Sequence, residues 1–159
     1  MVTFAEIEQA RRRIRDQIYL SPLAYSETVS RMTGNRVFFK LENLQMTGSF
    51  KERGALNRLL TLSPEQTLKG VVTASAGNHG MAVAFHSRRL NVSATIVMPV
   101  TAPLIKITRV RQYGAREILH GNDYDEALAE ALRLGKETEL TFVSPFDDPW
   151  VVAGQGTIG

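Results

Sequence analysis

The chain has 159 residues, 43% of them apolar and 22% charged, with 19 basic against 16 acidic side chains and a formal charge of +3. That length can bury about two-thirds of the unfolded surface, and the ordinary composition excludes collagen-like, low-complexity and disordered classes. The absence of cysteine excludes disulfides, thiolate metal sites and a cysteine nucleophile, and no apolar run approaches the roughly 20 residues of a bilayer span.

The first predicted element is a helix opened by Thr3 and Glu6 at capping-box spacing, with Phe4, Ile7, Ala10, Ile14 and Ile18 recurring on one face. Ser21-Pro22 is expected to end it, because the residue before proline avoids the helical region. Glu6 and Glu8 stand where a secretory signal would carry basic residues, and no apolar core follows, so a soluble cytoplasmic protein without a membrane partner is expected. Arg11, Arg12, Arg13 and Arg15 form the one basic cluster. A phosphate-tracking surface would interleave such a stripe with aromatics, and only Phe4 and Tyr19 lie near. The cluster reads as a solvated helix face, with no nucleic-acid partner.

A second helix is expected from Ser26 to Thr33 with Gly34 as its stop, then a strand over Val37–Leu41. Helices follow over Lys51–Leu62, Gly80–Leu90, Pro103–Tyr113 and Tyr124–Glu137. They alternate with strands over Val71–Ala74, Ala94–Met98, Glu117–Leu119 and Thr141–Val143. This alternation is the pattern of βαβ units. It predicts an α/β fold, an open and mainly parallel sheet with helices on both faces in three αβα layers. The run Ala153-Gly154-Gln155-Gly156-Thr157-Ile158-Gly159 is of the kind that opens a helix, yet no helix is expected after it, which suggests a truncated chain.

Two loops are rich in chemistry. Thr47-Gly48-Ser49-Phe50-Lys51 puts a lysine at a helix N-terminus, where the macrodipole disfavours positive charge. Partly buried, that amine would have a lowered pKa and could act as nucleophile or base; well solvated, it would be an ordinary surface lysine. Ser75-Ala76-Gly77-Asn78-His79-Gly80 offers glycines for close backbone approach and free N–H groups suited to a carboxylate or phosphate. Other chemistries lack their spacing. There is no P-loop and no Gly-x-Gly-x-x-Gly stretch opening a helix. His79, His86 and His120 show no tight ligand spacing, so no protein metal site is expected, and no Gly-x-Ser-x-Gly elbow occurs.

Together these segments resemble a known family. Leu41-Glu42-Asn43-Leu44-Gln45-Met46-Thr47-Gly48-Ser49-Phe50-Lys51-Glu52-Arg53-Gly54-Ala55 is similar to the cofactor-lysine segment of fold-type II pyridoxal-phosphate enzymes, in the form of the threonine/serine dehydratase and serine racemase branch. Ser75-Ala76-Gly77-Asn78-His79 resembles that family's asparagine loop. Pro145-Phe146-Asp147-Asp148-Pro149 and Ala153–Ile158 match later signatures in the right order.

The resemblance implies pyridoxal 5′-phosphate as cofactor, with Lys51 linked to it as an imine, Phe50 packing beside its ring and Asn78 bonding its 3′ oxygen. Ser75, Ala76, Gly77, Asn78 and His79 would grip the carboxylate of a small amino-acid substrate. The implied reaction is elimination of water from threonine or serine, giving 2-oxobutanoate or pyruvate and ammonia. Racemases resembling the family carry a serine at the position of Ala76, as acid/base on the face opposite the lysine. Alanine there favours elimination, with racemisation and a non-catalytic fragment as the alternatives. Glu52 stands where sulfhydrylase-type and threonine-synthase-type relatives usually read aspartate, and Gly80-Met81-Ala82 departs from the Ala-Gln-Gly of many dehydratases.

Complete members of the family are roughly twice as long, and their second half supplies the phosphate loop, the group facing the pyridine nitrogen and any cation site. The resemblance therefore divides the chain into residues 1–47 of a large domain, a small α/β domain over 48–145, and a return to the large domain over 146–159. It also implies a homo-oligomer at full length. A chain ending at Gly159 is expected to be weakly active at best and to expose an apolar patch.

Overall fold

A computed structural model describes residues 1–159. The elements in chain order are α1 (Phe4–Ile14), β1 (Leu23–Tyr25), α2 (Glu27–Thr33), β2 (Phe38–Lys40), α3 (Lys51–Leu59), α4 (Pro64–Lys69), β3 (Val71–Ala74), α5 (Asn78–Arg89), β4 (Ala94–Met98), α6 (Leu104–Gln112), β5 (Arg116–Leu119), α7 (Tyr124–Glu137), β6 (Thr141–Phe142) and α8 (Pro149–Gly156).

The main sheet is fully parallel, in the order β5-β4-β3-β6. Its central strand β3 is buried at every residue, as expected of an apolar run covered on both faces. From β3 the chain adds β4 and β5 on one side, then returns through α7 to place β6 on the other. Right-handed crossovers consequently set α5 and α6 on one face and α7 on the opposite face. The two cores differ accordingly. Met81, Val83, Ile96, Met98, Ile107 and Val110 pack between the sheet and the α5 side, whereas Val72, Ala74, Val97, Ala127 and Ala131 pack under α7. The three αβα layers expected from the sequence are present.

Four details correct the expected layout. Helix α1 stops at Ile14, because Gln17 and Ile18 both donate to the Ile14 carbonyl in a closing turn (2.9 and 3.1 Å). Arg11, Arg12 and Arg13 occupy its last turn, where positive charge complements the helix dipole. The strand expected near Val37–Leu41 does not join the main sheet. It is β2, paired antiparallel with the unexpected β1. Helix α4, also unexpected, is opened by a Ser63–Gln66 capping box with Pro64 in its first turn. The small-residue run 153–156 is itself helical, forming the second half of α8, which Asp148 caps by accepting from Trp150 N and Val151 N.

Polar ties fasten α3 to its surroundings. Arg53 makes a two-pronged pair with Glu42, both contacts at 2.8 Å, and Ser21 Oγ donates to the same carboxylate. Burial pushes the Glu42 carboxyl upward, but the Arg53 and Ser21 hydrogen bonds outweigh it and hold the pKa at about 2. Arg58 Nε pairs with Asp148 at 2.8 Å. By contrast Leu20, Leu23, Tyr25, Phe38, Phe39 and Met46 are exposed, so large apolar side chains do face solvent on and near the β1–β2 pair. No helix is long and apolar enough to cross a membrane.

Candidate functional site

The order of the sheet reverses between β3 and β6, and in open α/β sheets ligands bind beyond the carboxyl ends of the strands at such a switch point. A cleft of about 370 Å³ lies there, lined by Lys51, residues 74–79, Tyr124, Pro145 and Phe146. Residues distant in sequence meet at this point because each follows a strand end or opens a helix beside one.

Lys51 arrives by a constrained path. Gly48 takes φ +79°, a left-handed conformation that favours glycine, and Lys51 N donates to Ser49 Oγ at 3.4 Å. The Lys51 amine is half-buried and donates to the Pro145 carbonyl at 2.9 Å. It also lies 5.6 Å from the Phe50 ring centre and 5.3 Å from that of Phe146. Burial pulls its pKa below the ordinary lysine value. Of the two readings left open for this lysine, the structure therefore has the partly buried one.

The second loop turns from β3 into α5. Ser75 N remains in the ladder, donating to Val97 O at 3.0 Å, while Ser75 Oγ accepts from Gly77 N at 3.1 Å. A Cβ at Gly77 would meet nothing closer than 4.0 Å, so the backbone there is open to a ligand. At Gly80 a Cβ would sit 2.7 Å from the Ser75 carbonyl oxygen, so this glycine lets α5 start against the strand end. Helix α5 has no side-chain cap, which leaves its first N–H groups available to an anion. The Asn78 side chain is exposed.

His79 is placed differently from its neighbours. Its ring is buried, and Nε2 lies 3.1 Å from the Val143 carbonyl. A carbonyl only accepts, so Nε2 carries the proton and Nδ1 does not. Burial is the main reason the pKa falls to about 4, with the nearby Lys51 charge adding to it, so the ring is neutral at pH 7. The ring spans β3's loop and β6's end, tying together the two strands at the switch point.

The residues named from the sequence are thus largely assembled. Lys51, Ser75, Ala76, Gly77, Asn78 and His79 share one cleft, whereas Phe50 lies beside the lysine and outside the lining. Tyr124, Pro145 and Phe146 were not among the expected site residues. Tyr124 and Phe146 stack edge to face at 6.2 Å, and burial, with Asp125 nearby, raises the Tyr124 pKa so that the phenol stays protonated. Their signal is positional: Tyr124 follows the loop after β5 and Pro145-Phe146 follow β6, at the carboxyl ends of parallel strands.

Residues 14–159 match the family described as pyridoxal-phosphate dependent enzyme. The L-threonine ammonia-lyase of Thermotoga maritima is 50% identical over 159 residues, covering all of this chain and 40% of that protein. Among solved structures, the serine racemase of Dictyostelium discoideum aligns with a TM-score of 0.92 at 37% identity, over 99% of this chain and 51% of that one. The processed threonine deaminase isoform 2 of Solanum lycopersicum aligns with a TM-score of 0.89 at 44% identity, over 98% of this chain and 44% of that one. The chain therefore spans 40% to about half the length of these relatives.

Proposed function

The chain belongs to the family of pyridoxal-phosphate dependent enzymes, and from that premise we propose that it is part of a threonine or serine dehydratase in which Lys51 anchors the cofactor and moves the substrate proton. The observation that carries this reading is the Lys51 amine, half-buried, lowered in pKa and set at a cleft on the sheet's switch point. The residues fit the group: a primary amine available as nucleophile, open backbone at Gly77 and an uncapped α5 N-terminus.

When bound, the cofactor supplies the electron sink that allows a Cα–H bond to break. The chain's own residues supply the rest. Lys51 would hold the cofactor and Asn78 would hydrogen-bond it, with Phe50 beside the lysine. The uncapped backbone N–H groups at the start of α5 would receive the substrate carboxylate, using the helix dipole. Once displaced by the substrate's amine, Lys51 would be the base that removes the Cα proton, with burial lowering its pKa from the ordinary lysine value. The β-hydroxyl would leave as water, its extra proton balanced by the one Lys51 has taken from Cα, and hydrolysis of the released enamine gives a 2-oxo acid and ammonia. Tyr124 and Phe146 line one wall of the cleft.

Threonine is favoured as substrate by the names of the relatives, and elimination is favoured over racemisation by Ala76, which can supply no proton to the second face. In this reading residues 48–145 form a small domain, consistent with the main sheet lying wholly within 71–142, and residues 1–47 and 146–159 belong to a larger one. A homo-oligomer of the whole protein is part of the same reading, carried by the family resemblance.

The test is to add pyridoxal phosphate, reduce with borohydride and map the adduct by peptide mass. A stoichiometric adduct at Lys51, lost in Lys51→Ala, together with 2-oxobutanoate release from threonine by a preparation of the whole protein, is expected. Labelling scattered over surface lysines in the whole protein would overturn the assignment of Lys51.

A further inference from the structure

We propose that Glu52 and His86 form a buried positioning pair that holds the Lys51 loop in register with α5, the helix whose first turn lines the same cleft. The proposal rests on the reading of Lys51 as the reactive amine.

Glu52 follows Lys51 directly, and its side chain points the other way, into the interior. One carboxylate oxygen, Oε1, accepts from the backbone N–H of Thr47, which closes the loop 47–51 on itself. The other, Oε2, lies 3.4 Å from His86 Nε2 on α5. Both side chains are sealed from solvent, at 1% and 0% exposure. The contact lacks hydrogen-bond geometry: Oε2 and both ring nitrogens of His86 are without hydrogen-bond partners, so two buried polar groups face each other across it. The Phe85 ring stands edge-on to His86, with centres 4.9 Å apart. His86 lies about two helical turns beyond Asn78, so the pair ties the lysine loop to the body of the helix that carries the asparagine loop.

Stability alone does not call for such a pair. A buried polar pair gains little over well-packed apolar side chains of similar size, whereas removing one partner leaves the other polar group without a counterpart in the interior. The arrangement is better suited to register. A carboxylate that can meet both the Thr47 N–H and His86 allows one placement of the loop relative to α5, and Lys51 is the adjacent residue. Proton transfer from a substrate bound on the α5 side requires that placement.

Substitutions at His86 separate positioning from space-filling, using the full chain. His86→Phe keeps an aromatic ring, somewhat larger than imidazole, and removes the polar partner; His86→Gln loses the ring but keeps a side-chain N–H that can face Glu52. The first readout is the rate of the reduced pyridoxal-phosphate adduct at Lys51. It is expected to fall about tenfold or more in His86→Phe, in line with the sensitivity of reactive groups to small displacements, and to recover in His86→Gln to within about threefold. The second readout, hydrogen exchange at the amides of residues 47–51, needs no cofactor. Exchange is expected to accelerate in His86→Phe and return toward the original rate in His86→Gln. Unchanged exchange in His86→Phe, or equal acceleration in both variants, would overturn the pair's role. Absence of any Lys51 adduct in a preparation of the whole protein would count against the reactive lysine instead, while the exchange measurement would still decide the pair.

Discussion

Gly154 on α8 meets Gly54 on α3 so closely that a Cβ built on Gly154 would stand 2.6 Å from the Gly54 Cα. The same atom would be 2.6 Å from the Arg53 carbonyl oxygen, and a Cβ on Gly54 would be 2.7 Å from that of Val151. Two absent side chains let two helix backbones touch. Lys51 lies three residues before Gly54 on α3, so this crossing helps set where its amine emerges.

Gly154→Ala is therefore expected to push α3 and α8 apart and to destabilise the chain by about 1–3 kcal/mol, the usual cost of overpacking. The clashing atoms are backbone and cannot rotate away. Urea denaturation measures this; an unshifted midpoint would mean that the crossing has slack.

The buried His79 should make stability depend on pH in a particular window. Its folded pKa of about 4 is below the ordinary 6.5, so the unfolded chain binds the extra proton first. This contribution is complete above pH 6.5 and is lost as pH falls toward 4. The loss amounts to about 3 kcal/mol. Glu42 acts in a lower window, its contribution present above pH 4.5 and lost as pH falls toward 2. Denaturation as a function of pH is expected to show both. His79→Gln should flatten the upper window and leave the lower one; a profile unchanged by that substitution would contradict the buried neutral ring.

Ala76 is expected to be the position that separates elimination from racemisation. In a preparation that turns over threonine or serine, Ala76→Ser should generate D-serine from L-serine, because a hydroxyl on the cleft wall could return a proton to the second face. Chiral chromatography reads the product. Equal D-serine from the unsubstituted protein would show that another group already serves that face.

Much of this protein could be read from the sequence because the relevant physics is local. The capping box at Thr3, the left-handed stop at Gly34 and the apolar strands Val71–Ala74 and Ala94–Met98 depend on neighbours a few residues away, and each stands where the residues put it. The alternation of short apolar strands with helices dictated a parallel sheet and, through crossover handedness, helices on both faces. Lys51 and residues 75–79 stood out because their residue types are costly for a plain turn. What remained hidden depended on long-range contact. The sheet order β5-β4-β3-β6, which creates the switch point, is decided by which edge of β3 the return through α7 reaches. The Pro145 carbonyl beside Lys51, the Val143 carbonyl that makes His79 a neutral donor, and the Glu52–His86 contact each join residues more than 30 positions apart. The run 153–156 illustrates the same division. Its glycines suggested the opening of a following helix, yet its place in α8 comes from close packing against Gly54, which only the folded chain brings near.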